Sequence, residues 1–238
     1  MTPPDSPPGS PGHPHPLDNP VHSSLTGPHA GFAVRRGRAL RYPADVAPFV
    51  ALPTRPDAGA WSDLAELLGP GTVAPVAGLR TAPPPGWRVD SEIPGVQLVD
   101  AGVAAATDGE AVPLGPADVP EMLALVARTR PGPFLDRTVE LGTYLGFRRR
   151  GALVAMAGER LHPPGWTEIS AVCTDPAHRG EGLATRLVHA LVAGIRARGE
   201  SPFLHAAASN VRAIRLYQDL GFRLRMPIPF VGIRVPTG

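Results

Sequence analysis

The sequence predicts a mixed α/β fold, with a central sheet flanked by helices and a smaller, degenerate α/β unit before it. Hydrophobic residues make up 43% of the 238 residues and charged residues 18%, which is enough apolar material for a core. From about residue 110 onward, apolar runs follow the order strand, helix, strand, helix, strand, which requires at least one parallel crossover. Before that point, Pro and Gly interrupt the pattern and the predicted elements are short.

The first 20 residues are rich in proline, which lacks a backbone donor and fixes its own φ. We therefore expect a disordered tail, in which His13 and His15 have no rigid frame for a metal. Residues 21–105 predict a small α/β unit, and we find no chemical motif in it. Its expected elements are strands at 38–42, 72–76 and 96–99 and a helix at 61–68.

Residues 110–238 carry the sharper pattern and form the second predicted domain. Asp118 and Pro120 indicate a helix start, and Pro131 ends that helix. A second helix at 182–198 has one apolar face and ends before Gly199. Short helices are expected at 134–141 and 210–220. The expected strands are 144–148, 153–159, 166–174, 203–208, 222–225 and 230–235.

Composition argues against several classes of partner. The formal net charge is +2, and Arg148, Arg149 and Arg150 are most simply a solvated hairpin turn, so nucleic acid is not expected. Cys173 is the one cysteine, which rules out an internal disulfide and suits a reducing compartment. No signal-peptide pattern is visible, and no stretch reaches the roughly 18 apolar residues of a membrane span. We expect a cytoplasmic protein without membrane partner or metal site.

The main chemical signal lies in residues 172–185, which run from a strand through a turn into a helix start. Gly180 and Gly182 let the backbone approach a bulky group, and the first N–H groups of the helix point to the same place. Such a turn binds a phosphate or diphosphate. On the glycines alone, an ordinary turn followed by a helix start would be the favoured interpretation. Two other phosphate loops are excluded, because the chain has no lysine and Thr185 stands where a third glycine would be.

The wider pattern resembles the GNAT superfamily of N-acetyltransferases over roughly residues 110–235. The matching elements are an Asp-Pro turn, an Arg-Gly-x-Gly-x-Ala signature and a later Asn-x-x-Ala-x-x-x-Tyr-x-x-x-Gly-Phe. They stand at Asp175, Pro176, Arg179, Gly180, Gly182, Ala184, Asn210, Ala213, Tyr217, Gly221 and Phe222. The weakly patterned N-terminal half is similar to the glycine N-acyltransferase-like branch. The resemblance implies a central sheet of GNAT type, whose parallel strands 166–174 and 203–208 splay apart around the acetyl-CoA thioester.

The resemblance also implies a role for each matched residue. Asn210 would contact the pantetheine region, and Tyr217 would protonate the departing CoA thiolate, which suits a phenol with a pKa of about 10. The alternative for Tyr217 is a core aromatic, because it shares a helical face with Ile214 and Leu220. The strand residues expected to bind the pantetheine arm are Val172, Cys173 and Thr174. The residues expected to hold the diphosphate are Arg179, Gly180, Glu181, Gly182, Leu183, Ala184 and Thr185.

Two residues are candidates for the general base. Glu168 lies on the strand before the signature, where GNAT histone acetyltransferases place their glutamate. His205 lies five residues before Asn210, at the offset of the glutamate in ribosomal-protein alanine acetyltransferases, and imidazole titrates near neutral pH. We rank Glu168 first, while a salt-bridged Glu168, a hydrogen-bonded structural His205 and a water relay stay open. Strand alternation puts Cys173 on the opposite face from Glu168, as a small buried side chain.

These observations predict an acyltransferase that moves an acetyl group from acetyl-CoA to an amine of a small molecule or peptide. The amine would attack directly in a ternary complex. The alternative from another class is a non-catalytic acyl-CoA-binding or sensing module. Asn210 and Tyr217 together favour the enzyme, because binding alone does not require an acid.

Overall fold

The computed structural model describes residues 15–79 and 81–237, and in this part of the chain two mixed sheets are surrounded by short helices. The helices are α1 (Pro20–Leu25), α2 (Ala58–Leu68), α3 (Val119–Thr129), α4 (Leu183–Ala197) and α5 (Val211–Asp219). The strands of the first half of the chain are β1 (Val34–Arg36), β2 (Ala39–Arg41), β3 (Val50–Ala51), β4 (Val73–Ala77), β5 (Arg88–Ile93) and β6 (Gly95–Asp100). Those of the second half are β7 (Val112–Leu114), β8 (Tyr144–Arg149), β9 (Ala152–Glu159), β10 (Trp166–Thr174), β11 (Ser201–Ala207), β12 (Phe222–Pro227) and β13 (Phe230–Arg234).

The two sheets repeat one arrangement. The first has the order β1-β2-β3-β4-β13-β5, and the second has the order β12-β6-β11-β10-β9-β8-β7. In each sheet a parallel pair, β3 with β4 or β10 with β11, is connected through a helix, α2 or α4. All other neighbouring strands are antiparallel. The mixed α/β fold is thus confirmed, and the first half has the same strand–helix–strand plan as the second.

The halves exchange one strand each. Strand β6 comes from the first half but lies between β11 and β12 of the second sheet, and β13 from the second half lies between β4 and β5 of the first. The predicted boundary at residues 105–110 therefore divides the sequence but not the sheets. Local periodicity shows which face of a strand is apolar, but it does not show which distant strand is its pairing partner.

Ordered structure begins nearer the N-terminus than the composition predicts. Residues 1–14, with His13, lie outside the described residues, but residues 16–18 form a 3₁₀ turn and Leu17 is fully buried. Pro16 and Pro20 each stand at the first position of a helical turn, where the missing N–H has no partner to lose. The expectation of disorder is therefore wrong for residues 15–20.

Helix α4 is anchored on the second sheet by a continuous apolar face. Leu187, Leu191 and Ile195 are at most 1% exposed, and full burial of each such side chain contributes about 2 kcal/mol. The helix closes before Gly199, whose φ of 76° is typical of a glycine after a helix end. This packing fixes where the first turn of α4 points. None of the described helices is long and apolar enough to cross a bilayer.

Candidate functional site

The site begins where the parallel strands β10 and β11 separate. They pair from Trp166 with Ser201 to Ile169 with Leu204, and there the ladder between them ends. Beyond that point β11 continues against β6, while β10 continues against β9. A gap therefore opens between residues 170–174 and 205–207, which confirms the predicted splay of the two strands.

A bulge in β10 changes which side chains face the gap. The register with β9 shifts between Ser170 and Cys173, and Ala171 has a φ of 53°. Ile169 packs in the apolar cluster of α4, whereas Ala171 and Cys173 pack in the cluster of α3. Because alternation holds up to Ile169, Glu168 and Cys173 lie on the same side of the sheet. The predicted opposite placement of Cys173 is wrong, since the bulge reverses the alternation.

Cys173 is 7% exposed, and burial raises the pKa of its thiol to about 11. A thiol in this state is protonated at neutral pH and is a weak nucleophile. The Cys173 side chain therefore contributes to packing. At this position β10 presents only its backbone to the gap.

The turn before α4 presents a row of unpaired amides. Gly180 and Gly182 have φ values of 88° and 74°, and both are exposed. The helix ladder starts with Arg186 N–H on the Gly182 carbonyl at 3.1 Å. Within the described residues, no acceptor receives the backbone N–H groups of residues 180–185. These amides and the positive end of the helix dipole form a cradle for an anionic group.

Charged side chains around the cradle are mostly paired with one another. The Arg186 guanidinium holds Asp108 at 2.6 and 2.9 Å and Glu110 at 2.8 Å. Glu181 accepts from the His178 ring at 2.9 Å. Arg179 is exposed and has no ion pair within the part of the chain that the structure describes. Arg179 is thus the cation beside the cradle that is available to a ligand.

Helix α5 carries the second group of predicted residues. Asn210 caps this helix, since its Oδ1 accepts from the Ala213 N–H at 3.2 Å. Tyr217 is 8% exposed, and burial, with a smaller effect from Cys173, raises its pKa to about 12. The Tyr217 hydroxyl forms no hydrogen bond with any described residue. Tyr217 is therefore a protonated phenol near β10, packed against Phe222 at a ring distance of 6.1 Å.

Glu168, the first candidate base, is enclosed in a buried ion pair. Arg160 donates from Nε at 2.9 Å and from Nη2 at 2.7 Å, and His205 Nδ1 lies 2.7 Å from Oε1. Burial alone would raise the pKa of Glu168, but the charge of Arg160 and the hydrogen bonds from Arg160 and His205 outweigh it and lower the pKa to about 2. The residue has no exposed surface, so its carboxylate is shielded from solvent.

His205, the second candidate, lies beside the gap on β11. Its side chain is 2% exposed, and its other ring nitrogen, Nε2, lies 3.0 Å from the amide nitrogen of Gln97 on β6. Arg160 and Gln97 also belong to the site and could not be predicted from sequence. Neither belongs to a local motif, and both reach the site through strand pairing, so the fold alone brings them there.

The first half has the same plan but a closed cradle. Strands β3 and β4 pair at Val50 and Val76, and α2 follows β3. Asp57 caps α2, accepting from the Ala60 N–H at 3.0 Å, and Arg38 binds its carboxylate at 2.6 Å. A carboxylate thus occupies the helix start where the second half has open amides.

Known proteins are similar to this chain in sequence and in fold. The family model described as FR47-like protein matches residues 144–231. The crystal structure of a putative acetyltransferase from the GNAT family of Novosphingobium aromaticivorans has 43% sequence identity and a TM-score of 0.85, and the match covers 94% of this chain and 100% of that one. The N-alpha-acetyltransferase RimI of Mycobacterium tuberculosis is 37% identical over 83 residues, which are 34% of this chain and 51% of RimI. The mycothiol acetyltransferase of Thermobispora bispora is 36% identical over 83 residues, 31% of this chain and 28% of that enzyme.

Two parallel strands that splay apart, with an anion cradle at the start of the helix that follows, define the class of protein. It is an α/β protein built like the acetyltransferases above. The chain belongs to the GNAT family of acetyltransferases, as its match to the full length of the Novosphingobium protein shows. The matched segment spans about half of RimI and less than a third of the mycothiol enzyme.

Proposed function

We propose that the protein is an N-acetyltransferase that transfers the acetyl group of acetyl-CoA to an amine of a small molecule or peptide, by direct attack in a ternary complex. The observation that carries the proposal is the row of unpaired amides at residues 180–185, at the mouth of the gap between β10 and β11. The names of the relatives RimI and mycothiol acetyltransferase support acetylation of nitrogen.

The residues present fit acetyl-CoA. Open amides and the free Arg179 suit a diphosphate, and a Cβ at Gly180 or Gly182 would meet nothing within 4 Å, so the space above the turn is clear. The backbone of Val172–Thr174 borders the gap where a pantetheine arm would lie. The Asn210 Nδ2 has no partner among the described residues and is available to the same arm. When bound, acetyl-CoA supplies the activated thioester.

Tyr217 is the acid in this proposal. As the new C–N bond forms and the C–S bond breaks, the sulfur leaves as a thiolate and requires a proton. A phenol whose pKa is raised to about 12 is fully protonated at neutral pH, so Tyr217 holds a proton beside the departing sulfur. The phenol then regains its proton from solvent.

The amine must lose a proton, and we assign that proton to water in the gap, because both ring nitrogens of His205 are hydrogen-bonded within the protein and its side chain is 2% exposed. Glu168, which we ranked first from sequence, acts as the partner that orients His205, because both of its oxygens are bound and its pKa lies at about 2. A carboxylate this acidic is a poor acceptor from an amine.

The test is thiol release from acetyl-CoA with a panel of amines, together with product mass. We expect Tyr217→Phe to bind CoA normally and to turn over roughly 10²-fold more slowly, the lower range of general acid catalysis. Tyr144→Phe is the matched control, because it removes the hydroxyl of another buried tyrosine, on β8. CoA binding without thiol release for any amine would favour the sensing module, and full turnover of Tyr217→Phe would remove the acid assignment.

A further inference from the structure

A cavity of about 190 Å³ lies in the first half of the chain, between β2, β3, β4 and the last residue of α2, Leu68. The parallel strands β3 and β4 pair at Val50 and Val76, and the residues that precede this pair on both strands border the cavity. The cavity is therefore at the amino ends of its parallel strands. The gap between β10 and β11 opens at their carboxyl ends, so the cavity is not a counterpart of the anion cradle.

Most of the cavity wall is apolar. The apolar side chains that line it belong to residues 44–50 and to β4, and they are Ala44, Ala47, Pro48, Val50, Val73 and Ala74. Val73 is 42% exposed, so part of this apolar lining is open to solvent. An apolar cavity of roughly 150 Å³ can hold a benzene molecule. This cavity thus has room for an apolar group of that size.

Among the described residues of the lining, Arg41 at the end of β2 is the charged one. Its Nε is buried without a hydrogen-bond partner, which shows that the base of the guanidinium is enclosed by the protein. The terminal nitrogens Nη1 and Nη2 also lack a hydrogen bond or ion pair within residues 15–79 and 81–237, but they are not buried. They are therefore the atoms of Arg41 that a ligand can reach, and a guanidinium can only donate.

The protein does not supply a carboxylate for this arginine. The acidic residues of α2 and of the turn after β2 are paired with other arginines, namely Asp45 with Arg137, Asp63 with Arg38 and Glu66 with Arg36. Two of these arginines, Arg36 and Arg38, belong to the same hairpin as Arg41. Arg41 thus differs from them in facing a cavity in place of an acidic side chain.

We propose that the cavity binds a small monocarboxylic acid, whose carboxylate accepts from Nη1 and Nη2 of Arg41 and whose apolar body contacts the apolar wall. A guanidinium and a carboxylate form a charge-assisted pair with two parallel hydrogen bonds. One carboxylate neutralises the one cation, whereas a second charge on the ligand would face apolar side chains, which is unfavourable. The inference does not depend on the proposed acetyl transfer, because the cavity shares no residue with that site.

The test is titration of the ¹⁵N-labelled full chain with sodium benzoate, followed by NMR. Benzoate combines a benzene ring with one carboxylate, and we expect saturable shifts of the amide signals of Ala44, Val73 and Ala74. Benzamide has nearly the same shape without the charge, so it should bind at least roughly tenfold more weakly. This comparison uses the wild-type protein and does not depend on the folding of a variant.

Two variants test the two parts of the site. Arg41→Met keeps an unbranched apolar side chain and should weaken benzoate binding at least roughly tenfold. Arg35→Met is the matched control, because Arg35 is an exposed arginine of β1 without an ion pair in the described part of the chain, and it should leave the affinity unchanged. Ala44→Leu narrows the cavity and should weaken benzoate and benzamide alike.

Three results would overturn the proposal. They are the absence of a saturable shift at millimolar benzoate, equal affinity of the wild type for benzoate and benzamide, and an Arg41→Met variant that folds and binds benzoate as the wild type does. Shifts confined to the cradle residues 180–185 would likewise contradict a site at Arg41.

Discussion

A comparison of the two halves suggests a pair of substitutions at Gly182 that tests the effect of a negative charge beside the cradle. Gly182 is the N-cap of α4 and Asp57 is the N-cap of α2. Gly182→Asp would place a carboxylate beside the first turn of α4, and Gly182→Asn would place there an uncharged side chain of the same shape. Both residues cap helices and tolerate positive φ better than other side chains, and a Cβ at this position meets nothing within 4 Å. The two variants therefore differ in charge alone.

The expected difference follows from Coulomb's law. A carboxylate at the N-cap would lie about 5 Å from a phosphate on the first amides, which costs about 0.8 kcal/mol per pair of unit charges in water. The turn is exposed, so the dielectric constant of water is the appropriate choice. Two diphosphate charges give about 1.7 kcal/mol, or roughly 15-fold weaker binding of CoA to the Asp variant. The same carboxylate should stabilise α4 by about 0.5 kcal/mol through the helix dipole.

The assay is titration calorimetry of CoA with both variants, at low salt and at about 0.5 M salt, where screening shortens the range of these charges. We expect the Asp variant to bind CoA roughly 15-fold more weakly than the Asn variant at low salt. This difference in affinity should become smaller at high salt. Melting should show the Asp variant to be no less stable than the Asn variant. Equal CoA affinity of the two variants at low salt would refute an anion cradle at this turn.

Three further predictions concern the rest of the structure. Calorimetry should find one CoA per chain, because Asp57 closes the first half, and a stoichiometry of two would contradict this. Glu168→Gln leaves Arg160 buried without its partner and should lower the free energy of unfolding by about 3–5 kcal/mol at pH 7. Because the folded pKa of Glu168, about 2, lies below its unfolded value, this stabilisation is present above about pH 4.3 and is lost as the pH falls towards 2, so urea midpoints of wild type and variant should converge at acid pH. Tyr144→Phe removes a buried hydroxyl without a partner in the described part of the chain, so its Tm should be unchanged or higher, and a clear drop would show a missed partner.

Local pattern was sufficient for most elements but not for their arrangement. Strand β10 was predicted with its observed bounds and α4 to within one residue at each end, because each has its own apolar periodicity and end signals. The exchange of β6 and β13 could not be predicted, since each strand keeps the same apolar pattern in either sheet. The prolines of residues 15–20 were misread as disorder because proline also suits the first position of a helical turn.

The candidate site could likewise be predicted from sequence only in part. The cradle could be predicted because its amides belong to one contiguous segment, in which glycine spacing determines backbone conformation. The state of Glu168 could not, because its chemistry depends on Arg160 and on His205, which reach it across two strand pairs. The bulge at residues 170–173 was also invisible to an argument from regular alternation.

Because of the strand exchange, the second sheet depends on the first half of the chain for one of its inner strands. Without β6, strands β11 and β12 would lose their common neighbour, and His205 would face an open sheet edge instead of Gln97. A fragment that starts at residue 110 would still contain the cradle and Tyr217, but it would expose Leu204 and Phe222, which are now buried beside β6. The matched segment 144–231 thus contains the cradle and Tyr217 but leaves its sheet with an open edge, because the strand that completes the sheet lies about 45 residues earlier in the chain.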